Sequence, residues 1–272
     1  MSSNDSEIVV YWAVYAKEYD WALQRILVSN PTPLVKDAMG MNIFEKVEGD
    51  NTPPRSKVLL KCPAHIDTKT NIVMPSWPFS GQFEFDDEGQ IIGQPENLNF
   101  VWVANPHYTE QQKKERNTTN RPFEQNHPGA NRFSISFNQS LIYFCEEELI
   151  MEIMPPYLHN AETSSYGNVI TGEFDISKWF RPVWPEYLLW ENVKKFSCKE
   201  GEPSMYIKFQ THKKIVFKEF RSTNIIHSIA QACISLSSVI RGRNEGLEGR
   251  YNRFVTRSLK SAVANEIKKN LL

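Results

Sequence analysis

The stretch GEFDISKWFRPVWPEYLLW, residues 172–190, decides how this chain must fold. It holds three tryptophans, two phenylalanines, one tyrosine and two prolines. Aromatic surface on that scale belongs in a core, and Pro182 and Pro185 forbid one continuous helix or one central strand. The span must therefore cross an apolar surface as an irregular buried belt. Trp179, Phe180, Trp184 and Trp190 are expected to turn inward, and the two prolines to interrupt any regular ladder.

Upstream of the belt the apolar pattern is that of strands. Residues 7–15, EIVVYWAVY, read as the first, and residues 57–61, 71–74 and 99–103 as further short ones. Phe83 and Phe85 alternate with polar residues, and DDEG (86–89) before Ile91-Ile92 signals a hairpin. Phe133, Ile135 and Phe137 alternate with Ser134, Ser136 and Asn138, the signature of a half-buried strand. Residues 141–145 and 149–154 predict a hairpin across Glu146-Glu147-Glu148. Residues 205–209 and 214–220 predict a second across Thr211-His212-Lys213. Between these regions, EQQKKERNTTNRPFEQNHPG (110–129) is polar enough to be an exposed loop and a point of proteolytic attack.

The end of the chain changes period. Ile225, Ile226, Ile229, Ala232, Cys233, Leu236 and Ile240 form a helical stripe, with Thr223 or Asn224 as N-cap and Gly242 as a stop. Phe254, Leu259, Val263 and Ile267 continue helical spacing. Strands followed by helices indicate an α+β fold with a predominantly antiparallel β core and C-terminal helices. The expected division is a β-rich domain over 1–222, carrying the exposed polar loop 110–129, with a helical segment over 223–272 packed on it.

Composition narrows the function classes. The 272 residues are 40% hydrophobic and 23% charged, with a formal net charge of −1. There is no global field to attract nucleic acid or an anionic membrane. No apolar run approaches the ~20 residues of a membrane-spanning helix, and the N-terminus lacks the basic start and cleavage site of a signal peptide. The expected location is therefore the cytoplasm, not the secreted space. Cys62, Cys145, Cys198 and Cys233 include no C-x-x-C pair, so buried free thiols are expected.

Several pieces resemble an uncharacterised family of tailed-bacteriophage proteins: KCPAHIDTKTNIVMPSWPF (61–79), LIYFCEEELIMEIMPPYL (141–158), GEFDISKWFRPV (172–183), CKEGEPSMYIKFQT (198–211) and the closing EIKKNLL (266–272). The resemblance covers about half of the chain. It implies a phage-like genome as the source, and the host cytoplasm or the virion as the location. It implies no mechanism. Cys62, Pro63 and Asp67 follow the family pattern; His65 departs from it.

Three chemical readings compete. His65-Ile66-Asp67 places an imidazole and a carboxylate on one side of an extended chain. With a distal His212 they would form the facial triad of an Fe(II) oxygenase, and Arg221 would clamp the carboxylate of 2-oxoglutarate. The bland alternative is a turn whose Asp67 caps backbone amides. His107, His127, His159 and His227 read as solvated or packed side chains. Glu146-Glu147-Glu148 and Asp86-Asp87-Glu88 read as solvated turn charges in preference to cation ligands. Arg250, Arg253 and Arg257 make the tail basic enough to contact phosphates, against the plainer reading of a docked helix with a basic outer face.

The leading expectation is a phage-encoded, non-enzymatic binding or structural protein, a virion component or an intracellular accessory factor. It would use no cofactor and act through a protein partner or self-association, with nucleic acid a weaker option and no membrane involved. The alternative is the Fe(II)/2-oxoglutarate-dependent oxygenase.

Overall fold

The structure, a computed structural model, describes residues 7–15, 32–33, 71–77, 79–85, 91–93, 134–136, 141–157, 159, 162–191, 193–235 and 247–272. The motif His65–Asp67, the polar loop 110–129, Cys62, His107, His127, Asp86-Asp87-Glu88, Gly242 and the expected strands at 57–61 and 99–103 lie outside them.

β1 (Glu7–Val14) is rich in Val, Ile, Tyr and Trp and is buried over nearly its whole length. A strand buried this fully must have its backbone N–H and C=O groups paired on both edges. It has β7 (Leu141–Phe144) antiparallel on one side and β15 (Lys214–Glu219) parallel on the other. β11 (Pro182–Val183) extends β7 outward, which gives a four-stranded sheet in the order β11-β7-β1-β15. A five-stranded sheet runs β10-β8-β14-β3-β2, from β10 (Gly172–Asp175), β8 (Ile150–Met154), β14 (Tyr206–Phe209), β3 (Ile72–Met74) and β2 (Thr32–Pro33). β6 (Ser134–Ser136), β12 (Glu186–Leu189) and β9 (Gly167–Val169) form a three-stranded sheet. β13 (Lys195–Cys198), β4 (Gly81–Phe85) and β5 (Ile91–Gly93) form another. All pairings but β1 with β15 are antiparallel, so the α+β class with an antiparallel core holds. The expected hairpin from β4 to β5 is present.

Two other expected hairpins are absent. β7 and β8 follow one another in sequence but lie in different sheets, and so do β14 and β15. Both short connections are crossovers from sheet to sheet. The cause is burial: β7 is buried at every residue and β14 at three of four. Such strands have no solvent face and pair wherever a flank is open. Aromatic contacts bind the two large sheets face to face. Tyr143 of β7 meets Phe209 of β14 edge-on at 5.6 Å, and Phe209 meets Phe217 of β15 at 5.7 Å. A second aromatic knot, Trp77, Tyr187 and Phe196, joins the two small sheets, with Tyr187 and Phe196 4.9 Å apart.

The belt threads three of the four sheets. It begins as β10, forms the edge strand β11 and ends as β12. Trp179 and Phe180 are buried and Trp184 is half-buried, but Trp190 is 38% exposed. That corrects the expectation for Trp190. Its backbone N–H donates to Tyr166 O at 2.8 Å, which holds the residue at the rim where β12 ends. Pro182 takes an edge position, where its missing N–H costs nothing.

β9 pairs with β12 so closely that a Cβ on Gly167 would stand 2.3 Å from Leu188 O and 2.8 Å from Leu189 Cα. Both obstacles are backbone and cannot swing aside. Gly167→Ala should therefore destabilise the protein by about 1–3 kcal/mol or more, measured by chemical denaturation. A loss under about 0.5 kcal/mol, ordinary for a surface change, would show that this pairing is looser than described.

α1 (Asn224–Ser235), α2 (Leu247–Thr256) and α3 (Leu259–Lys269) close the fold. Thr223 caps α1: the Ile226 N–H donates to its Oγ1 at 3.3 Å, and that hydroxyl donates to Glu266 of α3 at 3.0 Å. Ile226, Ala230 and Cys233 are buried one turn apart, whereas Ile225, expected in the same stripe, is 55% exposed. Phe254, Val263, Ala264 and Ile267 join the core that the sheets share, so helices and strands have one apolar interior. Residues 270–272 pair with the end of β15: Arg221 N–H donates to Asn270 O and Leu272 N–H to Glu219 O.

Candidate functional site

The belt turns between β10 and β11, and α2 packs across that turn. Asp175 starts the turn. Its Oδ1 accepts the Ser177 N–H at 2.8 Å and the Leu149 N–H at 3.4 Å, while Oδ2 has the Lys178 ammonium 2.9 Å away. Burial pushes the Asp175 carboxyl up, but hydrogen bonds from Ser177 and Lys178 outweigh it and hold the group below its ordinary value. The Asp175 N–H donates to the Tyr251 hydroxyl at 2.7 Å, which fixes α2 against the turn.

The turn so held presents Trp179 and Arg181. Trp179 is 5% exposed and meets Phe174 edge-on at 5.5 Å. The Arg181 guanidinium centre lies 5.1 Å from the Trp179 ring, 5.4 Å from Trp184 and 5.8 Å from Phe174. Arg250, from α2, places a second guanidinium 5.1 Å from the same Trp179 ring. The two cations are thus no more than about 10 Å apart, close to one Debye length at 0.1 M salt, so each feels the other. Burial lowers the Arg181 pKa first, and the Arg250 charge lowers it further against the opposing pull of Glu186. Nε of Arg181 donates to Pro182 O at 3.3 Å. Among the described residues no carboxylate forms an ion pair with either arginine. Cation–π contact stabilises a guanidinium, and Glu186 offsets part of the Arg181 charge without forming an ion pair with it. The seam between belt and α2 is therefore a cationic, aromatic-walled surface.

The tail arginines separate on inspection. Arg250 lies in the seam, Arg253 is half-buried one turn further along α2, and Arg257, just past the end of α2, is exposed. Arg181 was not singled out from sequence. Its signal was available in WFRPVW, where one arginine stands among aromatics two and three residues away.

The oxygenase residues are not brought together where they can be seen. His212 precedes β15 and Arg221 follows it, both exposed. The six residues of β15, about 20 Å of strand, stand between them, and His65 and Asp67 lie outside the described residues. Among the described residues no group of three His, Cys, Asp or Glu side chains is placed to hold a metal.

Glu146, Glu147 and Glu148 are solvent-facing, as expected of turn charges, but each is also an ion-pair partner. Glu146 meets Lys268 of α3 at 2.9 Å, Glu147 meets Lys213 at 2.6 Å and Glu148 meets Lys178 at 3.1 Å. Three lysines from three elements thus converge on the β7–β8 crossover, and one pair links the two crossovers to each other. The thiols of Cys145, Cys198 and Cys233 are buried, and burial pushes them up to about 11, 12 and 11. They are protonated and unreactive at neutral pH. His159 sits against the Tyr206 hydroxyl, and burial lowers its pKa. His227 stacks on Tyr15 at 4.8 Å.

No helix among the described residues is long and apolar enough to cross a membrane. Comparison with family models, with curated proteins and with solved structures finds no match to this chain.

Proposed function

We propose that this chain is a non-enzymatic binding protein, and, on the resemblance of its sequence, a phage-encoded one that serves in the virion or as an accessory factor in the infected cell. Its working surface is the seam between the belt and α2. The observation that supports this reading is the pair Arg181 and Arg250 on one tryptophan without a carboxylate partner among the described residues. Two like charges at that spacing repel in the free protein, and an arriving anion relieves the repulsion. Aromatic walls strengthen the attraction by excluding water, and arginine and tryptophan are the residues that dominate binding hot spots.

The test is capture from infected-cell lysate with immobilised wild type and with the Arg181→Glu, Arg250→Glu variant, alongside light scattering of the purified protein. A partner, or self-association, that the wild type shows and the charge-reversed variant loses is the expected result. Equal recovery on both, or a monomer that recovers nothing, would overturn the proposal. Circular dichroism of the variant separates loss of binding from loss of fold.

A further inference from the structure

Resting on the reading of the seam as a binding surface, we infer that its ligand is the phosphodiester backbone of a single-stranded nucleic acid. A guanidinium offers a planar fork of donors that matches a phosphate, and two forks on one ring can take the same or adjacent phosphates. The Arg181 fork is held in place by three aromatic rings and by its bond to Pro182 O, so little rotamer freedom is lost on binding.

Arg250 and Arg253 lie on α2 and Arg257 is the first residue after it, its N–H still donating to Arg253 O at 3.1 Å, so the three positions follow one face. Seven residues of helix rise about 10 Å. A stacked nucleic-acid strand advances about 3.4 Å per nucleotide, so that face runs alongside about three nucleotides. Trp184 is half-buried next to the Arg181 fork, and an indole beside phosphate-binding arginines is the combination on which bases stack without regard to sequence. An acidic protein surface would use the arginines and leave the tryptophan face idle. A duplex would bury its bases away from that face.

The net charge of −1 makes a local site necessary, since the chain as a whole exerts no pull on polyanions. Binding is thus expected to be moderate and strongly dependent on salt.

The experiment is fluorescence anisotropy of a labelled oligothymidine, titrated with full-length protein at several salt concentrations. The logarithm of the binding constant should fall with the logarithm of salt with a slope of about −0.7 per phosphate contacted. Arg250→Ala and Arg257→Ala should each weaken binding about tenfold and flatten the slope by about one contact. The exposed Lys199→Ala should leave both unchanged. Trp184→Phe keeps a stacking face and should keep binding, whereas Trp184→Leu should lose several-fold at an unchanged slope. If a variant fails to fold, Arg250→Lys reads the same contact with the charge retained. No binding at about 20 mM salt, or binding that the two arginine substitutions leave intact, would overturn the inference. So would equal binding by Trp184→Leu, or saturation by inorganic phosphate in place of the oligonucleotide. An acidic protein captured through Arg181 and Arg250, together with no oligonucleotide binding, would defeat this inference and leave the binding surface itself standing.

Discussion

Replacing Trp179 and Trp184 together by alanine is expected to give protein that is insoluble or has lost its cooperative thermal transition. Trp179 is 5% exposed, and core tryptophan to alanine typically costs about 3–5 kcal/mol. Trp184 is only half-buried and adds less by area. The larger consequence is topological. The segment they occupy is the covalent link from β10 to β11 to β12, and so among three sheets. Removing Trp179 also strips the ring against which both Arg181 and Arg250 lie, leaving two guanidiniums without that contact. A domain with about 5–15 kcal/mol of total stability does not absorb these losses together. Near-ultraviolet circular dichroism and calorimetry would report the outcome, with exposed Lys199→Ala as a control expected within about 0.5 kcal/mol of wild type. A double variant that melts within a degree or two of wild type would mean that the belt is a surface feature, and that the seam is not supported by the core.

Why was the belt legible and the topology around it not? Burial of Trp179 and Phe180 follows from composition alone, because no polar arrangement hides so much aromatic area. The exposed Trp190 does not follow, since its place at the rim is set by where β12 stops. The error over the two expected hairpins has a physical origin. Glu146-Glu147-Glu148 and Thr211-His212-Lys213 have the length of hairpin loops but carry no glycine or asparagine for the positive backbone angles that tight two-residue hairpins require. The strands that lead into them, β7 and β14, are buried on both faces, so the period-2 pattern that assigns a strand to one surface is missing there. The two crossovers are joined by Lys213 and Glu147 at 2.6 Å, a contact that only the folded arrangement creates.

The seam shows the same division. Arg250, Arg253 and Arg257 are legible in the sequence as part of a basic C-terminal tail. That Arg181 would join Arg250 could not be read, because the two are 69 residues apart and meet only when α2 packs on the turn after β10. Helix period locates residues on a face; it does not say which turn of which other element that face will meet. Asp175 was likewise invisible. A lone aspartate before Ile-Ser-Lys reads as surface, and its burial is imposed by Leu149 and Tyr251 from distant parts of the chain.

Asp175→Ala should accordingly be among the most damaging single changes, and its effect should depend on pH. The carboxylate is 1% exposed and accepts two backbone N–H groups, from Leu149 and Ser177. Alanine would leave both donors unpaired in the interior, at about 1–3 kcal/mol for each that water cannot reach. Lys178 is 34% exposed, so solvent screens its ion pair and the pair adds less than a buried one would. The expected total is about 2–4 kcal/mol at pH 7, and Asp175→Asn, which keeps an acceptor oxygen, should cost less. The carboxyl is held below its ordinary value in the folded state. Its contribution is therefore fully present above the unfolded value of about 3.9 and is lost as pH falls through the lower folded value. Urea titrations at pH 7 and again in the acid range should show wild type and Asp175→Asn converging in stability as the pH drops, because the wild-type carboxyl then also becomes neutral. A gap between them that stays constant across that range would mean that the charge on Asp175 contributes nothing, and that the turn beneath Trp179 and Arg181 is held by packing alone.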